Sequence, residues 1–231
     1  MKSFWQGLTH LIAPRVCRIC GCTLGADEEV MCLGCLMEMP RALIHQNDFN
    51  AIHQRLGHHC QVDRAAAWFY YKRDTQYARL LIDAKYGQLP ALDRQLGEMC
   101  ARELQPDGFF SDIEALVPMP IHWRKRMRRG YNQAMQICRG VRQVTGIEIA
   151  DVLSAAKGHG VQARHGREQR YSSISGTLAL RHPERVQGRR VLFVDDIITT
   201  GASASEAVLT LASGAPASIS VLCLGLTTVN N

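Results

Sequence analysis

In the stretch Val191-Leu-Phe-Val-Asp195-Asp196-Ile-Ile-Thr199-Thr200-Gly201-Ala202-Ser203, an apolar run leads into two adjacent acids. A loop of hydroxyl residues and one glycine follows, and then a helix-forming segment. An unbroken apolar run bounded by loop residues reads as a strand buried on both faces, as in parallel sheets. Backbone N–H groups of Thr199 to Ser203, at the positive end of the following helix, can cradle a phosphate; Gly201 allows close approach and the hydroxyls add donors. Adjacent acids at the strand end can accept hydrogen bonds from vicinal hydroxyls, or hold Mg2+ directly or through water. A plainer alternative is that Asp195 and Asp196 cap the loop and Thr199 or Ser203 caps the helix, although capping needs only one such residue and not the whole pattern.

Outward from this stretch the chain alternates regularly. Residues Glu114 to Pro118 read as a strand, Asn132 to Val144 as a helix, Arg190 to Val194 as a strand, Ala202 to Ser213 as a helix and Ala217 to Leu224 as a strand. Such alternation implies parallel pairing and an open α/β sheet flanked by helices, with ligands beyond the carboxyl ends of the strands, at the loops after Val117 and Val194. Upstream, Ala65 to Tyr71 reads as a strand, Gln76 to Tyr86 as a helix with Tyr77, Leu80, Leu81, Ala84 and Lys85 at helical spacings, and Ala91 to Leu104 as a second helix.

Residues 1–61 are different, rich in Cys and His and weakly periodic, which suits a small metal-stapled module ahead of a domain over 62–231 with its core at about 110–226. Cys17-Arg-Ile-Cys20 and Cys32-Leu-Gly-Cys35 are two C-x-x-C pairs separated by eleven residues. Two such turns present four thiolates to one tetrahedral ion, so structural Zn2+ is expected; a closed four-cysteine site leaves no open position for catalysis. A redox dithiol is the competing reading. Cys22 offers a C-x-C alternative, and His58, His59 and Cys60 read as surface and packing residues without an evident fourth ligand.

With 231 residues, 46% hydrophobic, 21% charged and a formal net charge of +6, the chain can bury a core and is not a disordered polymer. No apolar run approaches the roughly 20 residues of a membrane helix, and the first twelve residues do not read as a signal peptide. A cytoplasmic protein without membrane insertion is expected, in which nine cysteines are metal ligands or free thiols rather than disulfides. From Ala115 to Ile147 there is no acidic residue, while Arg124, Lys125, Arg126, Arg128, Arg129, Arg139 and Arg142 are cationic. That field suits an anionic partner, a phosphorylated small molecule or a nucleic-acid backbone; a solvated basic helix face is the plainer alternative.

The 191–203 stretch closely resembles the phosphoribosyl pyrophosphate (PRPP) signature of type I phosphoribosyltransferases. Val117-Pro-Met-Pro-Ile-His, Arg128-Arg-Gly-Tyr-Asn-Gln133, Leu81-Ile-Asp-Ala-Lys-Tyr86 and the amino-terminal cysteine pairs narrow the resemblance to the ComF/GntX family, over roughly residues 17 to 226. The resemblance implies that Asp195 and Asp196 hold the ribose hydroxyls, that Thr199, Thr200, Gly201, Ala202 and Ser203 hold the 5'-phosphate, and that Arg128, Arg129 and Lys85 neutralise pyrophosphate together with Mg2+. It also implies a mobile loop closing over the substrate, here Ser154 to Ser173 with Lys157, His159, Gln162, Arg164, His165, Arg167 and Arg170; an ordinary basic loop is the alternative. The chain departs from the family pattern where Ser172, Ser173 and Gly176-Thr-Leu178 follow Arg170, and in lacking further Cys pairs, of which Cys60 is a candidate remnant.

Two functions are compatible with these residues. One is Mg2+-dependent transfer of a phosphoribosyl group to an acceptor for which no general base can be named. The other is a non-enzymatic protein that handles single-stranded DNA on the same scaffold. Trp123 and Tyr131 beside the Arg124 to Arg129 cluster would supply the stacking surfaces. The family resemblance implies a role in uptake or use of external DNA, with the competence machinery as a partner, for the transferase reading as for this one. A PRPP-sensing regulator is a third, weaker reading, and a homodimer is compatible with each.

Overall fold

Five parallel strands form the centre of the molecule, whose computed structural model describes residues 15–121, 127, 129–155 and 177–228. In spatial order they are β1 (Ala65–Tyr71), β7 (Ser218–Thr227), β6 (Arg190–Ile198), β2 (Ala115–Pro118) and β3 (Glu148–Ile149). Strands β4 (Leu153–Ala155) and β5 (Leu178–Leu180) make a separate antiparallel hairpin. The α/β reading with an open parallel sheet holds.

Alternate residues of the central strands feed two apolar layers. Leu192, Val194, Leu222 and Leu224 pack with the helices α3 (Gln76–Tyr86), α4 (Pro90–Leu104) and α5 (Gln133–Thr145). Val191, Phe193, Val221 and Cys223 pack on the other face with α6 (Ala202–Ala212). The helices follow their sequence periods: α5 buries Ala134, Ile137, Cys138 and Val141 on one stripe and ends at Gly146 in the left-handed region.

Before the sheet lie two six-residue helices, α1 (Leu33–Glu38) and α2 (Ala51–Leu56). Residues 15–61 are shared between the two layers. Cys17, Leu24, Val30, Met31, Cys35 and Met39 join the layer of Trp68 and Tyr77, and the Tyr77 hydroxyl donates to the Cys35 carbonyl at 2.8 Å. Ile44, Ile52, Leu56 and Cys60 join the α6 layer.

Strand β2 ends with Pro118 opposite Val194, whereas β6 continues to Ile198 against the long β7. Asp195 and Asp196 therefore stand past the end of β2 within a longer strand than the 190–194 expected. Its extra length comes from β7, which pairs Cys223 with Asp195, Gly225 with Ile197 and Leu226 with Ile198. Connections leave β2 toward β3 and β6 toward β7, in opposite directions, so the crevice between β2 and β6 is the topological switch point where ligands bind in such sheets.

Candidate functional site

A cavity of about 390 Å³ occupies that crevice, lined by the loop after β2 (Met119, Pro120, Ile121), the start of α5 and the whole Asp195 to Ala204 segment, with Lys85 from the end of α3 and Arg129 opposite. The turn into α6 is built as a backbone cradle. Gly201 is the residue before the helix, at φ +86°, and carries no side-chain cap. Neither Thr199 nor Ser203 caps α6, although the Thr200 hydroxyl accepts from Ala202 N at 3.4 Å and so serves the helix start. Amides at the start of a helix preceded by a left-handed glycine are suited to an anion.

Asp195 and Asp196 are half-buried at the cavity floor. Each accepts the next residue's backbone N–H through Oδ1, Asp196 N to Asp195 and Ile197 N to Asp196, both at 2.9 Å. Burial pushes the Asp195 carboxyl well above its ordinary range, the adjacent Asp196 carboxylate adds to the rise, and Lys85 pulls the other way. Two carboxyls crowded in this way are relieved by a divalent cation or by hydroxyl donors, so the donor set fits Mg2+ with a sugar diol. Arg129 donates from Nη1 to Gln133 Oε1 at 2.9 Å, while its Nε is buried without a hydrogen bond among the described residues.

Sequence reasoning missed three supporting residues. Asn132 caps α5 by accepting from Met135 N at 3.4 Å and donates to the Met119 carbonyl at 3.0 Å, tying the loop after β2 to the helix. Gln133 is buried at the cavity wall, its Nε2 without a hydrogen bond among the described residues. Asp93, in the first turn of α4, is fully buried with both oxygens likewise unbonded. Burial pushes it up to about 7 against the pull of neighbouring Tyr131, and the Asp196 charge contributes to the rise. Its signal in the sequence is an acid on a stripe otherwise made of Leu92, Leu96, Gly97, Cys100 and Leu104.

Other expected residues are distributed differently. Arg128, Trp123 and Arg124 to Arg126, and the loop residues Lys157 to Arg170, lie outside the described residues. Ser154 lies in β4, opposite Ala179 of β5, and Thr177 donates to Glu206 of α6 from its N at 2.8 Å. Arg139 and Arg142 are exposed on the outer face of α5, away from the cavity. Tyr131 donates its hydroxyl to the Ala84 carbonyl, so it anchors the end of α3 and is not a free stacking platform.

Four thiols, Cys17, Cys20, Cys22 and Cys32, have their sulfurs within 4.8 Å of one another, which makes them a candidate metal centre consistent with zinc. Backbone N–H groups of Ile19 and Cys32 point at Cys17 Sγ at 3.4 and 3.3 Å. Burial works to raise this thiol, yet N–H donors from Cys20, Cys32 and Ile19 hold it down to about 6, as a thiolate ligand requires. Cys22 thus stands in the tight set where spacing pointed to Cys35. Cys35 is buried beside the cluster, its thiol pushed up by burial and by interactions with Cys20, Cys32 and Cys17. His58 and His59 are exposed, and Cys60 is buried against α6 with its thiol 3.8 Å from the Ser205 carbonyl, on the opposite layer from the thiols.

No protein-family model matches the chain. It is similar to curated proteins named DNA utilization protein YhgH: 28% identical over 116 residues to that of Escherichia coli strain K12 and 29% to that of Salmonella typhimurium, in each case covering 48% of this chain and 48% of the relative. The chain thus spans about half the length of the curated relatives it matches. Among solved structures it resembles a glutamine PRPP amidotransferase from B. subtilis, with a TM-score of 0.41 and 19% identity over 57% of this chain and 25% of that one. It also resembles a hypoxanthine phosphoribosyltransferase from Trypanosoma cruzi, with a TM-score of 0.36 and 12% identity over 63% of this chain and 79% of that one.

Proposed function

We propose that the chain binds PRPP with Mg2+ and transfers its phosphoribosyl group to an acceptor, in a cytoplasmic role linked to the use of external DNA. The observation that carries this reading is the convergence, in one cavity, of the Asp195 and Asp196 carboxyls, the Thr199 to Ser203 amide cradle, and the cations Lys85 and Arg129. In this reading the carboxyls receive the ribose 2' and 3' hydroxyls, the cradle holds the 5'-phosphate, Lys85 and Arg129 face the pyrophosphate, and Arg128 adds to its neutralisation. Mg2+ bound at the carboxyls with the substrate supplies further neutralisation of the departing charge. Holding both ends of the sugar fixes C1 between leaving group and acceptor, so positioning and charge stabilisation are the protein's main contribution. Residues 1–61 serve as a zinc-stapled module on this transferase, with Cys17, Cys20, Cys32 and Cys35 as ligands.

The name of the YhgH relatives supports a second reading, in which the same cavity and its basic rim grip single-stranded DNA without chemistry. Isothermal titration with PRPP and Mg2+, repeated with a short single-stranded DNA, separates the two. Saturable PRPP heat that DNA leaves intact, and that vanishes in the double variant Asp195→Asn, Asp196→Asn while the fold persists, is expected. DNA heat without PRPP heat favours the second reading.

A further inference from the structure

The phosphate cradle has a back wall, and that wall comes from the amino-terminal segment. Arg55, on α2, is 144 residues away from Thr199 in sequence and is not among the residues lining the cavity. Its guanidinium donates from Nη1 to the carbonyls of Ile198 at 3.2 Å and Thr199 at 2.7 Å, and to Thr227 Oγ1 at 3.0 Å, while Nη2 donates to the Thr227 carbonyl. The cradle also presses on the Arg55 backbone: a Cβ on Gly201 would lie 2.9 Å from both the Arg55 Cβ and its carbonyl oxygen. One turn into α6, Ser205 Oγ donates to the Leu56 carbonyl at 3.1 Å.

We infer that Arg55 is a positioning residue for the phosphate cradle: it draws the Ile198 and Thr199 carbonyls to the rear and so turns the partner amides forward to a phosphate monoester. The step is geometric. In a trans peptide the C=O and N–H point in opposite directions, so fixing the Ile198 and Thr199 oxygens on the Arg55 side points the Thr199 and Thr200 N–H groups to the other side. Without the guanidinium, three carbonyl dipoles would converge at the ends of β6 and β7 with only the Thr227 hydroxyl between them, and the loop would relax away from this arrangement. A fixed positive charge behind the cradle also favours an anion in front of it, and the charge-assisted bonds are the strong class. The five donors of arginine suit a hub with this many acceptors, and lysine could satisfy only part of it.

This inference rests on the phosphoribosyl reading of the cavity, and the test separates the two. Ribose 5-phosphate and pyrophosphate, each with Mg2+, are titrated calorimetrically into wild type, Arg55→Met and Arg55→Lys, with folding checked by thermal melting. Arg55→Met is expected to weaken ribose 5-phosphate at least about tenfold and pyrophosphate by less than about twofold, with Arg55→Lys between. A folded Arg55→Met that binds ribose 5-phosphate like wild type overturns the inference, as does equal loss of both ligands. If Arg55→Met does not fold, Arg55→Lys is judged on the same two titrations, and unchanged selectivity in it overturns the inference. If wild type takes neither ligand, the phosphoribosyl reading itself fails. Arg55 is then judged by hydrogen exchange at the Thr199 and Thr200 amides, where an unchanged rate in Arg55→Met overturns its role and a changed rate supports it.

Discussion

The cysteine segment and the central sheet sit in one continuous apolar layer, yet different forces hold them. In β6 and β7 the central residues Val191 to Val194 and Ile219 to Leu226 are buried and the neighbouring helices pack onto them from both faces, so apolar burial dominates the arrangement. Between residues 15 and 40 the regular structure is one six-residue helix, with Leu33 and Met37 exposed, and beside the buried Leu24, Val30, Met31 and Met39 the local order comes from thiols and the N–H groups aimed at them. The sheet is specified by shape. The cysteine segment is organised around a thiol cluster that could hold a metal, and disturbing each region should therefore leave different remains.

The sheet side breaks most severely at the contact between α4 and α5. A Cβ on Gly140 would lie 2.0 Å from the Arg94 carbonyl oxygen and 2.6 Å from Glu98 N, and one on Gly97 would lie 2.4 Å from the Ile137 carbonyl oxygen. These are backbone atoms of packed helices, with no flexible side chain able to give way. Gly140→Ala should cost about 4 kcal/mol or more, or prevent folding, with loss of the α5 start that carries Asn132 and Gln133. Urea unfolding measures this, and a cost under about 1 kcal/mol would mean that the helices slide apart freely.

The two regions were unequally legible. Helices α3 to α6 and strands β1, β2, β6 and β7 follow from periodicity, because burial on a stripe or on both faces leaves a repeating mark along the chain. Asp195, Asp196 and the Thr199 to Ser203 cradle were legible because one continuous segment contains them. The two-residue β3, the β4 and β5 hairpin, and α1 and α2 were not, since elements this short take their form from tertiary contacts. Arg55 was invisible for a related reason: its role arises from three chain segments meeting, and Gln54 and Leu56 beside it say nothing of Thr199 or Thr227. The cysteine spacings announced a thiol centre and offered Cys22 as a C-x-C alternative; they did not settle that Cys22 rather than Cys35 would join the tight set.

The crowding leads to the next test. Cys35→Ser should release the zinc and Cys22→Ser should retain it, since Cys35 stands in the first turn of α1, where the second C-x-x-C pair of a four-thiolate site closes. Metal content per chain decides between them; the reverse pattern assigns the fourth position to Cys22. On metal loss, amide exchange should rise over residues 15–40 while β6 and β7 stay protected, an effect of about 2 kcal/mol confined to one region. Equal loss of protection in the sheet would abolish the contrast and make the molecule one cooperative unit.

The smallest effect comes from a place where the sheet side departs from apolar burial. Asp93 is an acid in a core stripe, raised to about 7 from an ordinary 3.8. The sign follows from proton counts. Between about pH 4 and 7 the folded chain holds a proton at Asp93 that the unfolded chain has released, so stability from this group is greatest below 4, declines through that window and is level above 7. Asp93→Asn removes the decline. At pH 8 the variant should be the more stable by about 1 to 2 kcal/mol, less than the full pKa difference because the new amide also lacks partners, and at pH 4 the gain should vanish or reverse. Thermal melts of both proteins across this range measure it, and parallel curves would mean that Asp93 is solvated or paired in solution. A gain in stability accompanied by weaker pyrophosphate binding would mark Asp93 as a buried charge retained for the site beside it, where Tyr131, Gln133 and Arg129 share its surroundings.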